Sequence, residues 1–155
     1  SARLARLLDA AMRVVEARTG RALLRRTLTV RRNGWEANGG LTLPMGPALA
    51  VEALALEGPG GDRQPVDPGL WRLDAPGGRW AVLPRPGRRL PNPPRDGFIE
   101  AEVAVGYGAG WTDAPEDLRH ATMELAGAYY DGRSATEALP RPVAALLEPY
   151  RRVRL

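Results

Sequence analysis

Nucleophilic catalysis needs a serine, threonine or cysteine beside a base, and this chain is poor in both. It holds two serines, Ser1 and Ser134, one histidine, His120, and no cysteine. A triad would require His120 to reach Ser134 from a helix face with an acid behind it. His120 lies beside the apolar stripe of its helix, where a packing or surface role suits it better. One histidine cannot build a histidine-rich metal site, and the missing thiols remove thiolate ligands and disulfides together. Glu100 and Glu102 share one face of a strand and resemble a carboxylate pair. A solvated or arginine-paired strand face is the simpler reading. Gly106-Tyr107-Gly108-Ala109-Gly110 falls between a strand and a helix, where phosphate loops occur. The dinucleotide fingerprint wants glycine where Trp111 stands, and the nucleoside-triphosphate loop wants a lysine that the chain lacks. The three glycines then read as a flexible or positive-φ turn. No enzyme activity and no cofactor are expected from these residues.

Charge is the remaining chemistry. All 22 basic residues are arginine, and the formal net charge is +4. Arginine contacts carboxylates and phosphates bidentately and suits interfaces better than lysine. Arg85, Arg88, Arg89 and Arg95 fall in a Pro-rich stretch from Pro84 to Arg95, and Arg151, Arg152 and Arg154 close the chain. No aromatic interleaving or helix-turn-helix spacing accompanies them, so sequence-specific DNA reading is disfavoured. The loop suits a phosphate backbone or an acidic partner equally. In the tail, Val153 and Leu155 alternate with arginine, as two apolar anchors for a protein groove would.

The elements that must position these groups are legible from periodicity. Leu4, Leu7, Leu8, Ala11 and Val15 fall at helical spacing and predict a helix over 2–19, stopped at Gly20. From Leu24 the period becomes two, and Leu28 and Val30 mark a half-buried strand. Leu41 to Leu43 predicts a short strand. Leu49 to Leu56 reads as a strand, with helix an open alternative because of its alanines. Trp71 to Leu73 and Arg79 to Leu83 predict a hairpin around Ala75-Pro76-Gly77-Gly78. Phe98 to Val105 predicts a strand with Ile99, Ala101, Val103 and Val105 on one face. A second helix is expected over 113–131, opened by Asp113 and Glu116 as a capping box. A third is expected over 141–150, broken at Pro149. The order is helix, strands, two helices: an α+β fold, a small helical bundle with an inserted strand block over 24–105. The 155 residues suit one domain. No apolar run is long enough to span a bilayer, and the first residues lack a signal-peptide core. A cytoplasmic origin is therefore expected, with no membrane partner.

Several short motifs in this order resemble a known family. They are Thr-Gly-Arg-Ala-Leu (Thr19 to Leu23), Gly-Tyr-Gly (Gly106 to Gly108) and Pro-x-x-Leu-Arg-x-Ala (Pro115 to Ala121). Tyr-Tyr-Asp-x-Arg (Tyr129 to Arg133) and Leu-Pro-x-x-Val-x-Ala-Leu-Leu-x-Pro-Tyr-Arg (Leu139 to Arg151) complete the set. Together they resemble the head–tail connector, or adaptor, family of tailed bacteriophages, and most of all the adaptor of the bacterial gene transfer agent. The likeness spans almost the whole chain. The extra helical segment with which many relatives begin, around Leu-x-Glu-Ala-Lys, is absent from this sequence.

The resemblance implies a structural protomer in a virion-like particle, at the head–tail junction. Relatives form a ring, commonly of twelve copies, under the portal protein. The ring extends the DNA channel and presents a platform to a tail-side stopper or completion protein. By the same resemblance Tyr150, Arg151, Arg152, Val153, Arg154 and Leu155 are the portal-docking peptide. From charge, Arg85, Arg88, Arg89 and Arg95 contact the channel or a neighbouring copy, and DNA passes without sequence specificity. The competing reading is a small Arg-rich DNA-binding accessory protein, which tight and steeply salt-dependent DNA binding would favour.

Overall fold

The computed structural model describes residues 1–151. Its contacts divide the chain into a helical unit, residues 1–25 with 107 onward, and a β unit, Arg26–Gly106.

In the helical unit, α1 runs Ala2–Thr19 and opens on Ser1, whose hydroxyl accepts from the Leu4 backbone N–H at 3.3 Å. It ends at Gly20, where the left-handed turn (φ 66°) is open to a residue without Cβ. Thr19 Oγ1 donates to the Val15 carbonyl at 2.7 Å and accepts from Arg21 N at 3.2 Å. The buried Glu16 carboxylate accepts from Leu23 N at 3.0 Å. The Thr-Gly-Arg-Ala-Leu motif is thus a tied corner that turns Leu23 into the core. Helix α2 spans Glu116–Tyr130 and α3 spans Arg141–Leu147, with α2 packed on both other helices. Their shared core is Ala11, Val15, Leu23, Ala114, Leu118, Ala121, Leu125, Tyr129, Val143 and Leu147. On α2 the buried residues are Leu118, Ala121, Thr122, Leu125 and Tyr129, one stripe at helical spacing.

Two boundaries differ from the sequence reading. Helix α2 begins at Glu116, not 113, because Asp113 turns backwards: its carboxylate accepts from Gly110 N at 2.9 Å and closes a 3-10 turn over Trp111–Asp113. Helix α3 ends at Leu147 and tightens into a 3-10 turn over Glu148–Tyr150, where Pro149 supplies no donor.

In the β unit, β1 (Arg26–Arg32), β2 (Leu41–Thr42), β3 (Ala48–Glu57) and β4 (Arg63–Pro65) precede β5 (Trp71–Asp74), β6 (Ala81–Pro84) and β7 (Phe98–Val105). One sheet has the order β1-β7-β3-β4 and the other β2-β6-β5, and every pairing is antiparallel. The hairpin around Pro76 is β5–β6, and the Ala-rich segment is a strand. It pairs along its length with β7, and that tertiary ladder overrides the helical preference of alanine. Strand β7 lies between β1 and β3, so both of its edges are paired. Six of its eight residues are buried, Glu100 and Ala104 among them; of the face expected to be solvated or arginine-paired, Glu102 keeps partial exposure and Glu100 is paired with arginine.

Leu118 has no exposed surface and sits at the centre of the helical core. Leu118→Ala is expected to cost about 2–5 kcal/mol, the lost transfer energy plus a cavity term. Chemical denaturation should show a lower midpoint with an unchanged slope.

Candidate assembly surfaces

The residues that hinted at catalysis do not converge. His120 is exposed on α2, with Nε2 3.5 Å from Glu124 Oε1, one turn away on the same helix. Ser134 Oγ lies 2.9 Å from Thr136 Oγ1 in an exposed turn. Among the described residues no three His, Asp or Glu side chains gather as a metal site, and no helix is long and apolar enough to cross a membrane. The glycine-rich turn is built for close approach. Only Gly106 of its three glycines has a positive φ, 113°. At Gly108 an added Cβ would stand 2.5 Å from Asp113 Oδ2. The positive-φ turn expected of the three glycines is thus carried by Gly106 alone.

Glu100 and Glu102 sit in different surroundings, the first buried and the second partly exposed. Glu100 is only 6% exposed and is neutralised in place. Arg63 Nη1 donates to its Oε1 at 2.8 Å and Arg31 Nε to its Oε2 at 2.7 Å. Arg31 also lies over the Phe98 ring at 4.9 Å. The Arg63 hydrogen bond, then that of Arg31, holds the Glu100 carboxyl below the usual carboxylate range against the cost of burial. Three strands, β1, β7 and β4, are thereby tied through one side chain. Nothing in the sequence pattern points to Arg63, which is 37 positions away.

The start of the tail is anchored. Tyr150 is half-buried against the helical core, and its hydroxyl donates to Asp117 Oδ1 at 2.8 Å. Arg21 lies 5.9 Å from its ring centroid. Burial first, then the Asp117 hydrogen bond, pushes the Tyr150 phenol up to about 12. A raised phenol stabilises the fold fully below its ordinary pKa near 10, and this contribution is lost as pH rises through about 12. Arg151 is exposed, 3.9 Å from Glu148, and borders a groove lined by Arg18, Leu139, Ala144 and Leu147. Arg152, Val153, Arg154 and Leu155 of the expected docking peptide lie outside the described residues.

The basic loop is exposed but held. Arg85, Arg88, Arg89 and Arg95 all face solvent, while Leu90 between them is 4% exposed. Trp35 Nε1 donates to the Pro91 carbonyl at 2.9 Å, and Arg85 N donates to the Leu70 carbonyl at 2.8 Å. The partner of Trp35 lies 56 positions away, beyond any sequence pattern.

Glu100→Gln is expected to destabilise the chain by about 1–3 kcal/mol at neutral pH, the cost of weakening a buried charged hydrogen-bond network. A depressed carboxyl stabilises above the ordinary carboxylate pKa, and that share disappears as pH falls through the depressed value. Thermal unfolding across the acid range should therefore fall less steeply with acid in the glutamine variant.

No family model matches the chain, and no curated protein matches it. Solved structures do. A chain in the virion of a native gene transfer agent (GTA) particle is 35% identical, with a TM-score of 0.88 over 99% of this chain and 79% of that one. One in the neck of the native particle, computed with C12 symmetry, is 35% identical, with a TM-score of 0.89 over 100% of this chain and 85% of that one. One in the neck of the empty particle, computed with C6 symmetry, is 34% identical, with a TM-score of 0.86 over 98% and 78%. At that identity and coverage the relationship extends beyond shared topology. Corner, central strand, glycine turn and closing helices stand in the order expected of a connector, and the chain belongs to the gene-transfer-agent head–tail adaptor family, a structural component of the particle neck.

Proposed function

We propose that the chain, acting as one connector domain over 1–155, is a protomer of a twelve-copy ring at the head–tail junction of a phage-like particle. It is made in the bacterial cytoplasm and has a structural, non-enzymatic role. The ring lies under the portal protein, extends the DNA channel and presents a platform to a tail-side stopper or completion protein. The observation that carries this reading is the likeness, over all of this chain, to a chain in the neck of a gene transfer agent particle computed with C12 symmetry. A closed ring requires each copy to offer two different complementary patches, because its contacts are head-to-tail.

Within this reading, Tyr150 to Leu155 form the portal-docking peptide. The Tyr150–Asp117 hydrogen bond supports it by fixing where the peptide leaves the helical unit. Arg85, Arg88, Arg89 and Arg95 contact the channel or a neighbouring copy, supported by their exposure on a braced loop.

Deleting residues 151–155 should leave the thermal unfolding transition in place, since Arg151 makes one exposed ion pair and one backbone hydrogen bond, both to Glu148. The same deletion should abolish co-sedimentation with the portal protein and incorporation into particles. Normal incorporation of the truncated chain would overturn the docking assignment. Electron microscopy of the full chain with its portal reads the ring number directly.

A further inference from the structure

We propose that the loop from Pro84 to Arg95 is a preorganised, sequence-independent contact for the phosphate backbone of double-stranded DNA, made by Arg85, Arg88, Arg89 and Arg95. The proposal narrows the channel-or-neighbour assignment to one occupant, and rests on the connector reading for the presence of DNA at the neck.

The first observation is unpaired charge. Arg13, Arg31, Arg63, Arg72, Arg133 and Arg151 each meet a carboxylate of this chain. The four loop guanidiniums have no side-chain hydrogen bond or ion pair among the described residues. They carry as many positive charges as the formal excess of the whole chain, +4. A single acidic residue, Asp96, comes directly after them.

The second observation is rigidity. Pro84, Pro86, Pro91, Pro93 and Pro94 restrict the backbone. Leu90 is buried, Trp35 braces Pro91, and Arg85 N is bonded to the Leu70 carbonyl. The charges are therefore displayed on a backbone whose ordering cost is met during folding, which favours binding.

The third observation selects the occupant. A protein docking site is organised around a buried apolar or aromatic anchor. In this loop the one large apolar side chain, Leu90, is buried, and the four arginines are the only charged groups it presents to solvent, beside exposed Pro86, Pro91, Asn92 and Pro94. Dispersed guanidiniums without an anchor or a groove-reading element match an evenly spaced polyanion, whose affinity comes from counterion release.

The test uses the full chain and two mixed-sequence DNA duplexes of unrelated sequence, titrated between about 50 and 200 mM salt. Four phosphate contacts predict a log–log slope of about −3.6, equal for both duplexes. Each single Arg→Ala change at 85, 88, 89 or 95 should reduce the slope by about 0.9. The quadruple variant should lose the binding with its unfolding transition unchanged. No binding by the unaltered chain at the lowest salt overturns the proposal, as does an unaltered slope in the quadruple variant. Loss of self-association in that variant, with DNA binding intact, overturns it in favour of a neighbouring copy. Ring formation on the portal is scored separately. A flat DNA titration with normal rings sinks the loop assignment alone, whereas normal DNA slopes without rings sink the connector reading alone.

Discussion

A charge buried on the central strand of a sheet must be neutralised where it stands, and β7 is built around that constraint. Glu100 is held inside by Arg63 and Arg31. Removing one partner of such a group leaves an uncompensated buried charge, which is costlier than never having had it. The register of β7 against β1 sets Arg31 opposite Glu100, and that of β4 against β3 brings Arg63 within reach. One-residue slippage would send the carboxylate to the opposite face and bring Ile99 or Ala101 to the face it leaves. The ion cluster and the apolar face therefore specify the same register.

The helical unit solves a similar problem at smaller scale. Glu16 is buried near the end of α1, where the chain must turn sharply. Its carboxylate accepts the Leu23 backbone N–H, a donor that would otherwise be lost in the interior. Polar side chains in both units thus serve backbone geometry, which is consistent with a part whose work is to keep its shape.

Much of this architecture is written in local pattern. Helix α1, the hairpin at Pro76 and the limits of β7 arise from periodicity, a left-handed glycine and turn residues. The parts that escape are those decided by partners far along the chain. Strand β4, Arg63–Gln64–Pro65, is short, polar and exposed, and exists because β3 offers it an edge. The burial of Glu100 requires knowing that β7 is central. Asp113 has the spacing of a helix cap, yet its carboxylate finds a nearer donor behind it. Among the assembly residues, the four loop arginines are visible as charge. The bracing by Trp35 and Leu90 is not, because it depends on tertiary contact. Tyr150 is visible as the root of the tail, but not its bond to Asp117, 33 positions away.

That bond has a geometric corollary. With Tyr150 pinned, the five residues from Arg151 to Leu155 can reach at most about 17 Å, the length of a fully extended chain of that size. Under the proposed docking role, a receptor for Leu155 has to come within that reach of the Tyr150 backbone, and one slightly farther away is missed altogether. The Tyr150–Asp117 bond is then the fixed end of a ruler.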